Sequence, residues 1–123
     1  MANTLDWMEI RTKDIVRAAK FFEDLFGWKV NRQLTAEGTE YWIFDTGGEA
    51  RAENLRRGAF WLRPGADSGV VMYVLVEDID ATLQRVVALG GKVVSPKTSE
   101  GPRVYAYFAD PDGTVWGLWE ESA

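Results

Sequence analysis

The feature that most constrains the fold is an internal repeat at a fixed offset of 64 residues. Asp14 pairs with Asp78, Ile15 with Ile79, Leu25 with Leu89 and Gly27 with Gly91; further along, Tyr41 pairs with Tyr105 and Phe44 with Phe108. One offset without a gap over about 30 residues points to a duplicated unit rather than to one continuous core. At 123 residues the chain has room for a single domain of ordinary size, so each copy is a supersecondary module.

Both copies carry the same punctuation. In the first, LDWMEIRT reads as a strand, and Asp14 then caps a helix whose apolar residues Ile15, Ala18, Ala19, Phe22, Leu25 and Phe26 share one face. Gly27 stands where a helix end favours a left-handed residue. WKVNRQL, EYWIFDT closed by Gly47 and Gly48, and the weaker stretch from Glu49 to Arg57 follow as three strands. The second copy repeats the order. VVMYVLV is its first strand, and Asp78 opens a helix with Ile79, Leu83, Val86 and Leu89 inward and Gly90-Gly91 at its end. The strands KVVSPK, RVYAYFA and TVWGLWE follow, the last two joined by the turn DPDG. RPGADSG is the expected linker.

The fold class is therefore α+β: two βαβββ modules in tandem, each a curved mixed sheet with one helix on its outer face. Module one covers 1–63, the linker 63–69 and module two 70–123. The helix covers only one face of each sheet, and the other, lined by alternating side chains, is a natural place for a small ligand.

Composition removes whole classes of chemistry. There is no cysteine, hence no disulfide, thiolate metal site or Cys nucleophile, and no histidine, hence no catalytic triad, HExxH site or imidazole base. A catalyst here must work with carboxylates, Lys, Tyr, Ser or Thr. Fourteen basic against nineteen acidic residues give a net charge of −5, which opposes binding to nucleic acid or anionic membrane. The N-terminal MANTLDWMEI carries Asp6 and Glu9 where a signal peptide needs an apolar run, and no stretch suits a membrane span, so the expected location is the cytoplasm. No glycine-rich phosphate loop is present; Gly47-Gly48 and Gly90-Gly91 lack the spacing of a nucleotide fingerprint.

Taken together, the paired modules, DIVRAAKFFEDLFGWKV around the first helix, ALGGKVV after the second and FADPDGTVWGLWE at the C-terminus resemble the vicinal oxygen chelate superfamily of glyoxalases, bleomycin-resistance proteins and extradiol dioxygenases. The resemblance covers nearly the whole chain. In the metal-dependent members each module supplies two ligands, one near the start of its first strand and one on its last, usually His or Glu. Carried over, these positions look like Trp7, Glu53, Val71 and Gly117, and Trp7 to Val71 and Glu53 to Gly117 both obey the offset of 64. Three of the four have no ligating side chain, and Glu53 alone would hold a divalent ion weakly. The expectation is no metal and no cofactor.

Individual residues keep two readings each. Trp7 is either a core aromatic or an indole facing the cavity to stack on a flat ligand. Strand alternation puts Glu9 on the face of Trp7, with Met8 and Ile10 toward the helix. Glu9 and Glu53 are either solvated strand charges or two carboxylates in one cavity, one of them a general base. In the second module Val71, Tyr73 and Leu75 share a face, as do Val115, Gly117 and Trp119. Tyr73, Tyr105, Tyr107 and Trp119 beside Gly117, with Tyr41 as the counterpart of Tyr105 in the first module, line either a stacking pocket or a dimer contact. Arg51, Arg56, Arg57 and Arg63 are a solvated loop or a clamp for an anionic group. The DPDG turn is structural.

The leading expectation is a metal-free binding protein, resembling the bleomycin-resistance type, that sequesters a small aromatic or cationic compound; the resemblance also implies a homodimer. The alternatives are a glyoxalase-related lyase or isomerase using Glu9, Glu53 or an atypical metal site, and a dimeric scaffold whose tryptophans bind another protein.

Overall fold

A computed structural model describes residues 3–47, 57–62 and 69–120. The first module contains strand β1 (Thr4–Thr12), helix α1 (Ile15–Phe26), and strands β2 (Lys29–Asn31), β3 (Tyr41–Asp45) and β4 (Arg57–Leu62). The second contains β5 (Gly69–Leu75), α2 (Ile79–Ala88), β6 (Lys92–Glu100), β7 (Arg103–Ala109) and β8 (Val115–Glu120). The chain divides into two compact units, Trp7–Val70 on one side and Met1–Asp6 with Val71–Ala123 on the other. Strand order is β2-β3-β4-β1 in the first module and β5-β8-β7-β6 in the second. In both, the first strand pairs parallel with the last and the remaining pairs are antiparallel. This is the α+β arrangement expected from the repeat.

The two helices start alike. Asp14 Oδ1 accepts the Arg17 amide at 3.0 Å, and Asp78 Oδ1 accepts the Ala81 amide at 3.0 Å; both caps have extended backbones, so one amide left without a partner by the first turn is satisfied in each helix. Gly27 ends α1 with φ 73°, as the sequence led us to expect, and its N–H bonds to the Glu23 carbonyl. The inward face is shorter than periodicity implied. Ile15 and Ala19 of α1 and Ile79 and Leu83 of α2 are buried, but Leu25, Phe26 and Leu89, expected inward, are 56%, 61% and 68% exposed. Leu25 and Phe26 fall on the last turn of α1, and Leu89 is the residue that caps α2.

The first core joins Ile15, Ala19, Trp42, Phe44 and Phe60, with Met8, Ile10, Phe22 and Trp28 packed against it. It is strongly aromatic: Trp28 lies between Phe22 and Phe44, with ring centroids 4.8 Å away on each side. The smaller second core joins Val76, Ile79, Leu83, Ala106 and Leu118. Gly58 is required where β4 meets β1, because an added Cβ would lie 2.1 Å from the Met8 carbonyl oxygen.

One strand was misplaced by the sequence reading. The fourth strand of the first module is Arg57–Leu62, not the stretch from Glu49 to Arg57. Asp45 pairs with Arg57 and Ala109 with Val115, so 46–56 joins β3 to β4 where only 110–114 joins β7 to β8. The first hairpin is six residues longer, and the offset falls from 64 to 58 beyond it: Tyr41 faces Trp61 as Tyr105 faces Trp119. In β6 the register against β7 shifts twice, between Val93 and Ser95 and between Ser95 and Thr98, and Pro96 lies within the second shift.

The DPDG turn is structural in detail. Asp110 Oδ1 accepts the amides of Asp112 and Thr114, both at 3.0 Å, and Oδ2 accepts Trp116 Nε1 at 3.3 Å. These donors, the Thr114 amide foremost, hold the Asp110 carboxyl below its ordinary value.

Two predictions follow from caps and turn. Asp14→Ala and Asp78→Ala are each expected to cost about 1 kcal/mol in urea denaturation, since each strips the same type of cap. A carboxyl lowered on folding contributes stability that is complete above the ordinary carboxylate range and is lost as pH falls through the lowered native value. Asp110→Ala is therefore expected to lower Tm near neutrality and to make Tm fall less steeply on acidification from about pH 7 to about pH 2.

Candidate functional site

Since Met8, Ile10, Trp42, Phe44, Phe60 and Leu62 pack toward the first core, strand alternation turns Trp7, Glu9 and Arg11 of β1, Tyr41 and Ile43 of β3 and Ala59 and Trp61 of β4 to the opposite face. Trp7 Nε1 donates to Tyr41 Oη at 2.9 Å across the width of β4, where Ala59, between Glu9 and Ile43 in the ladder, offers only a methyl group. Glu9 is completely buried, and its Oε1 accepts from Arg11 Nε at 3.1 Å. The Arg11 guanidinium lies 5.4 Å from the centre of the Trp61 ring, which meets Tyr41 edge-on. Of the expected residues the structure thus gathers Trp7, Glu9 and Tyr41 on one face. The carboxylate is engaged by a cation, which offsets the cost of burying it.

The second face is phenolic. Tyr73, buried, lies on Gly117: an added Cβ there would meet the Tyr73 ring at 2.5 Å. The hydroxyls of Tyr73 and Tyr107 are hydrogen bonded, and the Tyr107 ring lies 5.7 Å from that of Tyr105. Tyr105 faces Trp119 across the β7–β8 ladder, donates to Glu100 Oε2 at 3.4 Å, and has the Arg103 guanidinium 5.9 Å from its ring centre. Tyr73, Tyr105, Tyr107 and Trp119 share this face.

Glu53, Arg51, Arg56 and Arg63 lie outside the described residues. The position assigned to Glu53 is corrected by register. Gly117 is the ladder partner of Tyr73; Glu9, the repeat equivalent of Tyr73, has Ala59 as its partner. The longer first hairpin moves this position six residues along the chain. Sequence reasoning also missed Arg11, Trp61, Glu100 and Arg103. Arg11 was legible from the alternation that placed Glu9; Trp61 was hidden by the misplaced strand, and Glu100 lay beyond the KVVSPK stretch expected as a strand, which β6 extends.

The metal that the resemblance implies does not fit these residues. Trp7, Ala59, Val71 and Gly117 offer an indole, two aliphatic groups and a hydrogen, none of them a ligand for a divalent ion. Among the described residues no three of His, Cys, Asp or Glu gather where they would hold one.

The Glu9–Arg11 pair gives a direct test. Arg11→Met removes the cation bonded to the buried Glu9 carboxylate and is expected to cost about 3 kcal/mol in urea denaturation, whereas adding Glu9→Leu to that variant restores at least half of the loss.

Residues 4–118 match the Glyoxalase/Bleomycin resistance protein/Dioxygenase superfamily. The chain is 32% identical over 123 residues to the CFP32 proteins of Mycobacterium bovis and Mycobacterium tuberculosis, whose names carry a provisional glyoxylase assignment. The match takes in 95% of this chain and 45% of theirs, so the chain spans less than half the length of these curated relatives. A glyoxylase-like domain-containing protein of Didymella fabae is 33% identical over 126 residues, covering 90% of this chain and 88% of that one. Among solved structures, methylmalonyl-CoA epimerase of Mycobacterium tuberculosis superposes with a TM-score of 0.68 at 16% identity, over 99% of this chain and 90% of that one. A Streptomyces coelicolor methylmalonyl-CoA epimerase variant in complex with 2-nitronate-propionyl-CoA reaches 0.72 at 16% identity over the whole of both chains. At such identities the structural likeness establishes the fold alone. Fold, repeat and sequence match agree: the chain belongs to the Glyoxalase/Bleomycin resistance protein/Dioxygenase superfamily.

Proposed function

We propose that this chain is a metal-free small-molecule binding protein that sequesters a small aromatic or cationic compound on the aromatic sheet faces of its modules. The observation that carries the reading is the substitution of the family's ligand positions by Trp7, Ala59, Val71 and Gly117, beside Tyr41 and Trp61 on one face and Tyr73, Tyr105, Tyr107 and Trp119 on the other. Rings with hydroxyl or indole N–H groups stack on flat ligands and fix their orientation with few polar contacts. The net charge of −5 favours a cation over an anion. No helix among the described residues is long and apolar enough to cross a membrane. The reading includes a homodimer in the cytoplasm without a bound cofactor.

An enzyme is the second reading, favoured by one feature: Glu9 is a carboxylate fully buried on the face that carries Trp7 and Tyr41. The provisional glyoxylase assignment of CFP32 points the same way. Arg11 already occupies one oxygen of Glu9, so the carboxylate is held as half of an ion pair rather than presented to a substrate. A scaffold role would instead make these aromatics a protein interface, and pull-downs with Trp7→Ala address it.

The test is a tryptophan-fluorescence titration with flat aromatic and cationic compounds, run alongside elemental analysis before and after EDTA. The expected outcome is saturable quenching whose midpoint EDTA does not move, on protein holding only trace Mn, Fe, Co, Ni, Zn and Cu. Near-stoichiometric metal, with binding lost on its removal, would overturn the reading. Sedimentation velocity checks the homodimer.

A further inference from the structure

Two polar atoms on the second face have unmet demands. Trp119 Nε1 and Glu100 Oε1 are both buried and both lack a hydrogen-bond partner. Buried polar groups in folded proteins are nearly always satisfied, and a group left unsatisfied calls for a specific explanation. The two demands are opposite in kind. An indole N–H can only donate, and a carboxylate oxygen can only accept.

The pair is also local. Trp119 is the cross-strand neighbour of Tyr105 on β8, and the other carboxylate oxygen of Glu100 accepts the Tyr105 hydroxyl at 3.4 Å. Opposite cross-strand residues hold their Cβ atoms about 5 Å apart, which sets the Trp119 side chain beside the Tyr105 ring whose hydroxyl meets Glu100. The Tyr107 ring, 5.7 Å from that of Tyr105, extends the aromatic surface.

We propose that Trp119 Nε1 and Glu100 Oε1 select the ligand of this face, and that the ligand class is a flat, amino-substituted nitrogen heteroaromatic. Its ring nitrogen accepts from Trp119, its exocyclic amine donates to Glu100, and its ring packs on Tyr105 and Tyr107. The proposal rests on the small-molecule binding reading and narrows it: an anionic or purely hydrocarbon ligand leaves Glu100 Oε1 unmet, and a ligand without an acceptor leaves Trp119 unmet. Binding sites built to hydrogen-bond a ligand reject analogues that lack the matching groups, because the site's own polar atoms then stay unpaired.

The experiment compares 2-aminobenzothiazole, which carries both groups, with 2-methylbenzothiophene, its isostere without either, by calorimetric titration of the intact chain. The amino compound is expected to bind about tenfold more tightly. Trp119→Phe keeps a ring but removes the donor, and Glu100→Met removes the acceptor at similar length. Each is expected to abolish the tenfold advantage, so that the two compounds bind alike to the variant. Should one variant fail to fold, the other still decides. Equal binding of the two compounds, or an advantage that survives in either folded variant, overturns the assignment of Trp119 and Glu100 and leaves aromatic binding standing. Binding of neither compound overturns both.

Discussion

Each module depends on the parallel ladder between its first and last strands. That contact brings two distant parts of the chain side by side, and at two points the backbone or a ring fits only because a side chain is absent. Gly58 lets β4 meet the Met8 carbonyl, and Gly117 lets the Tyr73 ring lie flat on β8. Once these ladders form, one face of each sheet is committed to its helix and the other is left to rings and polar groups. The helix caps, the DPDG turn and the aromatic core all serve that division. The parallel pairing is compatible with two modules that differ in the residues on these faces and share one architecture: alternation fixes which positions face away from the helix, while the residue type at those positions stays open.

The repeat makes the two faces comparable residue by residue, and they differ in kind. Glu9 and Tyr73 occupy equivalent positions, one a buried carboxylate held by Arg11, the other a phenol hydrogen bonded to Tyr107. Trp7 is bonded to Tyr41, and Glu9 to Arg11. The second face retains a donor and an acceptor that the protein does not use.

Most of the fold was legible in the sequence because its signals are local. Asp14 and Asp78 cap their helices, Gly27 ends one, and the alternation of Trp7 and Glu9 against Met8 and Ile10 reads directly as two faces of a strand. What failed to read was length. A constant offset carries no information about an insertion in a loop, so six additional residues between β3 and β4 moved a strand and put Glu53 where Ala59 belongs. The run GAFWL, apolar and aromatic, was the available clue, and the pairing of Trp61 with Trp119 at the shorter offset would have revealed it. Leu25, Phe26 and Leu89 misled for a different reason: periodicity reports which residues share a helix face, not how much of that face is covered at the helix end. Glu100 was missed because KVVSPK was expected to end the strand at Lys97, whereas β6 runs on to Glu100.

That slipping strand closes the second module's order. An outermost strand offers unpaired amides and carbonyls to any other chain, and a long regular one is a template for aggregation. Pro96 removes a donor from the middle of β6, and the two irregularities beside it break the even spacing that a foreign strand would need to match. Lys92 and Lys97 add charge along the same strand. A module assembled by duplication, whose copies already know how to pair with one another's sequences, runs a particular risk of joining the wrong copy, and the interruption at Pro96 is a local defence against it.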